Sequence, residues 1–184
     1  MLYFNDRQCR EIKHKIDNDV DYGFKYFLTL TWSPRVLVSM RTKVIRKQPD
    51  IDDASLDVEL MDWRIKQSRW FFINLAKKTN SHLHPYIAIA PPEEHEHLHT
   101  ILLSTDKILR KYPRQLWEHG RQVDFKEYDP DYGMRNHGDE NRNAVRYTFS
   151  KHIPIPNDYG PVCPAKSRSC RRGDCHLRRR EFYK

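Results

Sequence analysis

The sequence has no apolar run long enough to cross a bilayer, which excludes a helical membrane channel or carrier and implies no membrane partner. Its start, Met1-Leu2-Tyr3-Phe4-Asn5-Asp6, lacks the charged beginning and long apolar centre of a secretory signal, so the expected location is the cytoplasm. No Gly-x-x-x-x-Gly-Lys-Ser/Thr phosphate loop occurs, which speaks against a nucleotide-driven motor of that type. Cysteine is scarce. Four are present, three of them late (Cys163, Cys170 and Cys175) and Cys9 apart, which does not make a secreted disulfide framework and leaves reduced thiols or a metal clip. Internal repeats and low-complexity tracts are also missing.

What is present suffices for one core. The 184 residues are 38% hydrophobic and 12% aromatic, enough for a single domain with appendages. The formal net charge of +8 favours a polyanionic partner, because phosphates gripped by Lys and Arg release condensed counterions. That charge is uneven: residues 153–184 hold eight Lys/Arg against three Asp/Glu, so the chain divides into a domain, 1–152, and a basic, cysteine-containing tail, 153–184.

Along the domain, Asn5 or Asp6 can cap a short helix to about Ile16. Phe24 to Trp32 alternates like a strand, with Tyr26, Leu28 and Leu30 on one face and Phe27, Thr29 and Thr31 on the other. Val36 to Lys47 is basic and gives no clear period. Ser55 to Lys78 has helical spacing in Leu56, Leu60, Trp63 and Trp70, extended by Phe71, Leu75 and Ala76. Tyr86 to Ala90 and His97 to Leu103 read as a hairpin around Pro91-Pro92-Glu93-Glu94. A short helix from Thr105 to about Lys111, a strand from Arg121 to Tyr128, and a helix from about Asp139 to Lys151 with an Asp cap complete the pattern. The expected fold is α+β, a central antiparallel sheet with flanking helices.

Two groups of residues can do chemistry. In a strand, side chains two apart share a face, so His97 and His99 project together while Leu98 enters the core, and two neutral imidazoles make half a site for a divalent metal. In a chain with ten histidines the plainer alternative is a surface strand with incidental imidazoles. Tyr147 and Lys151 lie four apart on the last helix and share a face, which suits a phenol nucleophile and an ammonium that steadies charge. The plainer alternative is an amphipathic helix with a half-buried Tyr and a solvated Lys.

Read in order, Phe27-Leu28-Thr29-Leu30-Thr31, His97-Leu98-His99 and Tyr147-Thr148-Phe149-Ser150-Lys151 resemble the three motifs of HUH-superfamily replication initiators of phage, virus and plasmid type, over about residues 24–152. The resemblance implies a palm-like antiparallel sheet with His97 and His99 holding Mg²⁺ or Mn²⁺. It also implies that Tyr147 attacks a scissile phosphate in single-stranded DNA or an origin hairpin and that Lys151 assists, leaving a 5′-phosphotyrosine and a 3′-hydroxyl. The outcome would be the start of rolling-circle replication, with host helicase and polymerase as partners. The lone Tyr in the helix fits the one-tyrosine class, which includes transposases as well as initiators. The family's third metal ligand, often a carboxylate from the preceding strand, has no counterpart where Ala88 and Ala90 stand; Glu94 is the preferred substitute, with His95 and His84 as alternatives.

In the tail, Arg171, Arg172, Arg178 and Arg179 can grip a nucleic-acid backbone, as can Arg146 in the helix, with Phe182 and Tyr183 available to stack on bases. Zinc at Cys163, Cys170 and Cys175 with His176 is less favoured than unligated thiols, because the spacings match no common knuckle. The contrasting functional reading is a non-catalytic single-strand-binding protein, which needs neither Tyr147 nor a metal. A phosphoesterase with paired His-x-Thr/Ser motifs ranks last, since no second copy occurs.

Overall fold

β1 (Phe24–Trp32) buries every second side chain, Tyr26, Leu28, Leu30 and Trp32, as the two-residue repeat of a strand requires. The computed structural model, which describes residues 3–91, 96–131, 143–155 and 162–164, sets this strand in a five-stranded sheet. Its companions are β2 (Leu83–Ile89), β3 (His97–Ser104), β4 (Gly120–Glu127) and β5 (Ile153–Pro154), in the order β4-β1-β3-β2-β5. Every neighbouring pair is antiparallel. Five helices occur among the described residues: α1 (Asp6–Asn18), α2 (Pro34–Lys47), α3 (Asp53–Thr79), α4 (Lys111–Leu116) and α5 (Ala144–Lys151). The chain therefore adopts the α+β architecture expected from its sequence.

The sheet has two unlike faces. One carries Leu28, Leu30, Trp32, Ile87, Ile89, Leu98, Leu102 and Phe125, and α3 covers it with Phe71, Phe72, Leu75 and Ala76. Asp52 caps α3 by accepting from Ser55 N, and Asn80 ends it at φ 52°, a left-handed conformation that Asn tolerates. The buried stripe of α3 runs Leu56, Leu60, Arg64, Ser68, Phe71, Phe72, Leu75 and Ala76. Trp70, expected on that stripe, falls outside it and is exposed; the turn is filled by Phe71 and Phe72 instead.

The second face carries Tyr86, Ala88, Ile101 and Leu103, packed under Cys9, Ile12 and Ile16 of α1 and Val145 and Phe149 of α5. α1 starts with a reciprocal cap, in which Asn5 and Gln8 each satisfy the other's backbone N–H. Phe4 stacks on Phe149 with ring centres 5.6 Å apart, tying the approach to α1 onto α5.

One stretch left open by its sequence is now assigned, and two local expectations need correction. The basic stretch after β1 is the helix α2, started by Ser33 accepting from Val36 N with Pro34 in the first turn, where a missing N–H costs nothing. No helix forms from Thr105 to Lys111. The Thr105 hydroxyl accepts from His82 N and donates to Asp106, joining β2 and β3 rather than capping a helix, and the helical turn begins at Lys111. In the last helix the described turns begin at Ala144, and the cap is Asn143, which accepts from Arg146 N at 2.9 Å; Asp139 lies outside the described residues. No helix among the described residues is long and apolar enough to cross a membrane.

Candidate metal centre

Opposed residues in a sheet share a face, so the register fixes who can meet His99. Thr29 of β1 lies opposite it on one side and Ala88 of β2 on the other, while Asp124 of β4 lies beyond Thr29. His97 is opposite Thr31. Ala88 is fully buried and offers almost no side chain, so room remains beside His99. Chain connectivity fills it. The chain leaves α5 at Lys151 and pairs with β2 through Ile153 and Pro154, opposite Ile89 and Ala88, and the intervening residue, His152, turns into the space.

Three imidazoles thus come together. Ring centres are 4.6 Å apart for His97 and His99, 4.6 Å for His99 and His152, and 5.4 Å for His97 and His152. One ligand-capable nitrogen from each lies within 4.8 Å of the others, so the group could hold a metal ion. His99 and His152 are buried, and His97 is half-buried.

The hydrogen bonds fit the group for that role. His152 Nδ1 is 3.0 Å from the Thr148 carbonyl and 3.2 Å from that of Tyr147. A carbonyl only accepts, so Nδ1 carries the proton and Nε2 keeps its lone pair. His99 Nδ1 shares a 2.9 Å hydrogen bond with the Thr29 hydroxyl, while its Nε2 is buried without a partner. With Nδ1–H donated to Thr29, that orphaned nitrogen also presents a lone pair. A ligating His usually hands its other N–H to a carbonyl or a neighbouring side chain, which fixes the ring and its tautomer. Burial, with His152 and His97 close by, pushes the His99 pKa down to about 3, so the ring is neutral near pH 7.

Tyr147 stands at the rim. Its ring centre is 5.1 Å from His99 and 5.6 Å from His152, and 47% of its surface is exposed, so an incoming chain can reach it. Phe27 also stacks on His99, with ring centres 5.4 Å apart. All three sequence motifs therefore converge: β1 supplies Thr29, β3 supplies His97 and His99, and α5 supplies Tyr147.

The other expected site residues fare differently. Arg146 makes a 3.0 Å ion pair with Asp6, linking α5 to the start of α1. Lys151 closes α5, and its side chain lies outside the described residues. Glu94, His95, Arg171, Arg172, Arg178, Arg179, Cys170, Cys175 and His176 also lie outside them. Cys163 is half-buried against the cluster of α1 and α5. His84, one of the alternatives for a third ligand, is not in the group: it stacks on Tyr86 at 4.5 Å and lies 5.9 Å from Tyr22, and burial pushes its pKa down to about 4. His152 was missed from sequence. The gap at Ala88 and Ala90 announced a missing ligand, but the histidine that fills it follows a helix end, where no periodicity says which way a side chain points.

Comparisons with models of protein families, with curated proteins and with solved structures found no match to this chain.

Proposed function

We propose that this chain nicks and rejoins single-stranded DNA as a single-tyrosine endonuclease of the HUH type, starting rolling-circle replication. The observation that supports it most is an accessible Tyr147 with its ring 5.1 Å from His99, at the edge of a three-imidazole group. His97, His99 and His152 would hold the divalent ion. An all-nitrogen set suits Mn²⁺ or a later transition ion better than Mg²⁺, which prefers oxygen ligands. When bound, such an ion polarises a phosphate oxygen and offsets charge that develops at phosphorus.

The chain's own groups carry the rest. The Tyr147 phenol gives its proton to water as its oxygen attacks phosphorus, the bond from phosphorus to the 3′ oxygen breaks, and the departing oxygen takes a proton from water to become a free 3′-hydroxyl. The strand's 5′ end stays on Tyr147 as a phosphotyrosine, which a later 3′-hydroxyl reverses to join strands. His99, kept neutral near pH 7 by its burial, supplies a lone pair rather than a proton. Thr29 and the carbonyls of Tyr147 and Thr148 hold the rings of His99 and His152 in orientation. Lys151, one turn beyond Tyr147 on α5, is the cation assigned to the phosphate.

The test is incubation with single-stranded oligonucleotides tiled across the replicon that encodes the protein, with Mn²⁺ or with EDTA, followed by a denaturing gel. The expected result is a slower-migrating protein–DNA adduct that needs metal and is absent in Tyr147→Phe, which still binds DNA. Tight binding with no adduct on any oligonucleotide would favour the non-catalytic binding protein.

A further inference from the structure

Before the tail, the chain is nearly balanced, with 25 Lys/Arg and 22 Asp/Glu over residues 1–152. Against that background α2 holds Arg35, Arg41, Lys43, Arg46 and Lys47 and not one acidic residue. The helix has no fully buried side chain and rests on the fold through the half-buried Val36, Leu37, Met40 and Val44. With 3.6 residues per turn, that seam puts Arg35 and Arg46 together on the outward side, three turns and about 16 Å apart. Lys43 lies next to them. Of the five cations, only Arg41 has an ion-pair partner among the described residues, Asp53 at 3.5 Å. Nothing in the described fold calls for the others.

Position adds to charge. β1 passes Thr31, opposite His97, and α2 begins three residues later, anchored where Ser33 N donates to the His119 carbonyl. The helix therefore leaves the sheet at the strand end where the imidazoles lie, and it packs on the α3 side of that end through Leu37. From this we infer that α2 is a docking surface for the phosphate backbone of the single strand whose cleavage is proposed for Tyr147, taking the strand beyond the metal centre. The inference rests on that reading for its choice of DNA. Arg35 and Arg46 span several phosphates at about 3.4 Å of rise each, and the exposed Val38 and Ile45 beside them give sugars and bases an apolar contact. An anionic membrane is the less suitable partner, because the main apolar seam of α2 already faces the fold.

The experiment measures binding of a fluorescent single-stranded oligonucleotide in EDTA, where cleavage is blocked, over a salt series. The full chain is compared with R35Q/R46Q and with K77Q/K107Q, which removes the same charge from exposed lysines near the opposite end of the sheet. Each phosphate neutralised contributes about −0.7 to the slope of log affinity against log salt. The slope of R35Q/R46Q should be shallower by about 1.4, with unchanged circular dichroism, and that of K77Q/K107Q should match the parent. Equal slopes for all three proteins, equal losses in both variants, or a loss seen only with phosphatidylserine vesicles would overturn the inference. Because this arm needs no metal, it is decided separately from the Tyr147 adduct.

Discussion

On β3, His97 and His99 point to the same face as Ile101 and Leu103, yet the two pairs meet opposite surroundings. Ile101 and Leu103 are sealed beneath Cys9, Ile12 and Ile16 of α1 and Val145 and Phe149 of α5. His97 and His99 lie beyond that cover, beside Thr29, Thr31 and His152. One short helix serves both ends: Val145 and Phe149 plug the apolar end, while Tyr147 and the His152 that follows complete the polar one. The apolar end supplies cohesion, and the polar end spends some of it, since His99 is buried with a nitrogen that finds no protein partner. A buried polar atom left unpaired costs stability, and it is retained here where a ligand can satisfy it.

The largest effect in breaking this contrast should come from His152→Ala. It removes one of three nitrogens, so metal-dependent adduct formation and the metal-induced rise in melting temperature should both disappear; a rise as large as the parent's would remove His152 from the centre. At the opposite end, Phe149→Ala should cost about 3–5 kcal/mol in urea unfolding, because a large ring is lost from a sealed cluster. The metal site should survive in the fraction that stays folded. A cost below about 1 kcal/mol would show that the apolar end does not carry the fold.

Smaller changes sharpen the comparison. Thr29→Val keeps the shape but removes the hydroxyl that holds His99 Nδ1, and losing such an outer partner weakens metal binding by about 10- to 100-fold. Isothermal titration with Mn²⁺ reads this directly, and an unchanged affinity would mean that the ring is held by packing alone. pH gives the mildest effect. The folded chain holds His84 at about 4 and His99 at about 3, below the ordinary 6.5. Between those values and 6.5 the unfolded chain binds more protons, so the stability of the metal-free protein should be full above 6.5 and fall as pH drops through that window. Urea midpoints that stay level from pH 7 to pH 4 would contradict the burial of these rings as neutral groups.

Much of this was legible in the sequence because strands and helices repeat. The alternation of Phe24 to Trp32 placed β1 to the residue, and the same two-residue rule put His97 and His99 together with Leu98 in the core. The run from Leu56 to Ala76 gave α3, although Trp70 proved exposed, because a bulky aromatic beside a helical stripe is hard to tell from one on it. α2 was obscured by its β-branched Val36, Val38, Val44 and Ile45, while its Ser33-Pro34 start was the available clue. His152 could not be read at all. Its direction comes from the pairing of β5 with β2, a contact between segments more than sixty residues apart, and no local pattern encodes it.

The most direct test of the central claim is mass spectrometry of the covalent product. After cleavage of a single-stranded oligonucleotide with Mn²⁺, nuclease trimming and proteolysis, the account predicts one modified peptide, carrying a 5′-linked nucleotide on Tyr147. A nucleotide on any other residue, or cleavage that leaves no protein-bound nucleotide, would contradict it.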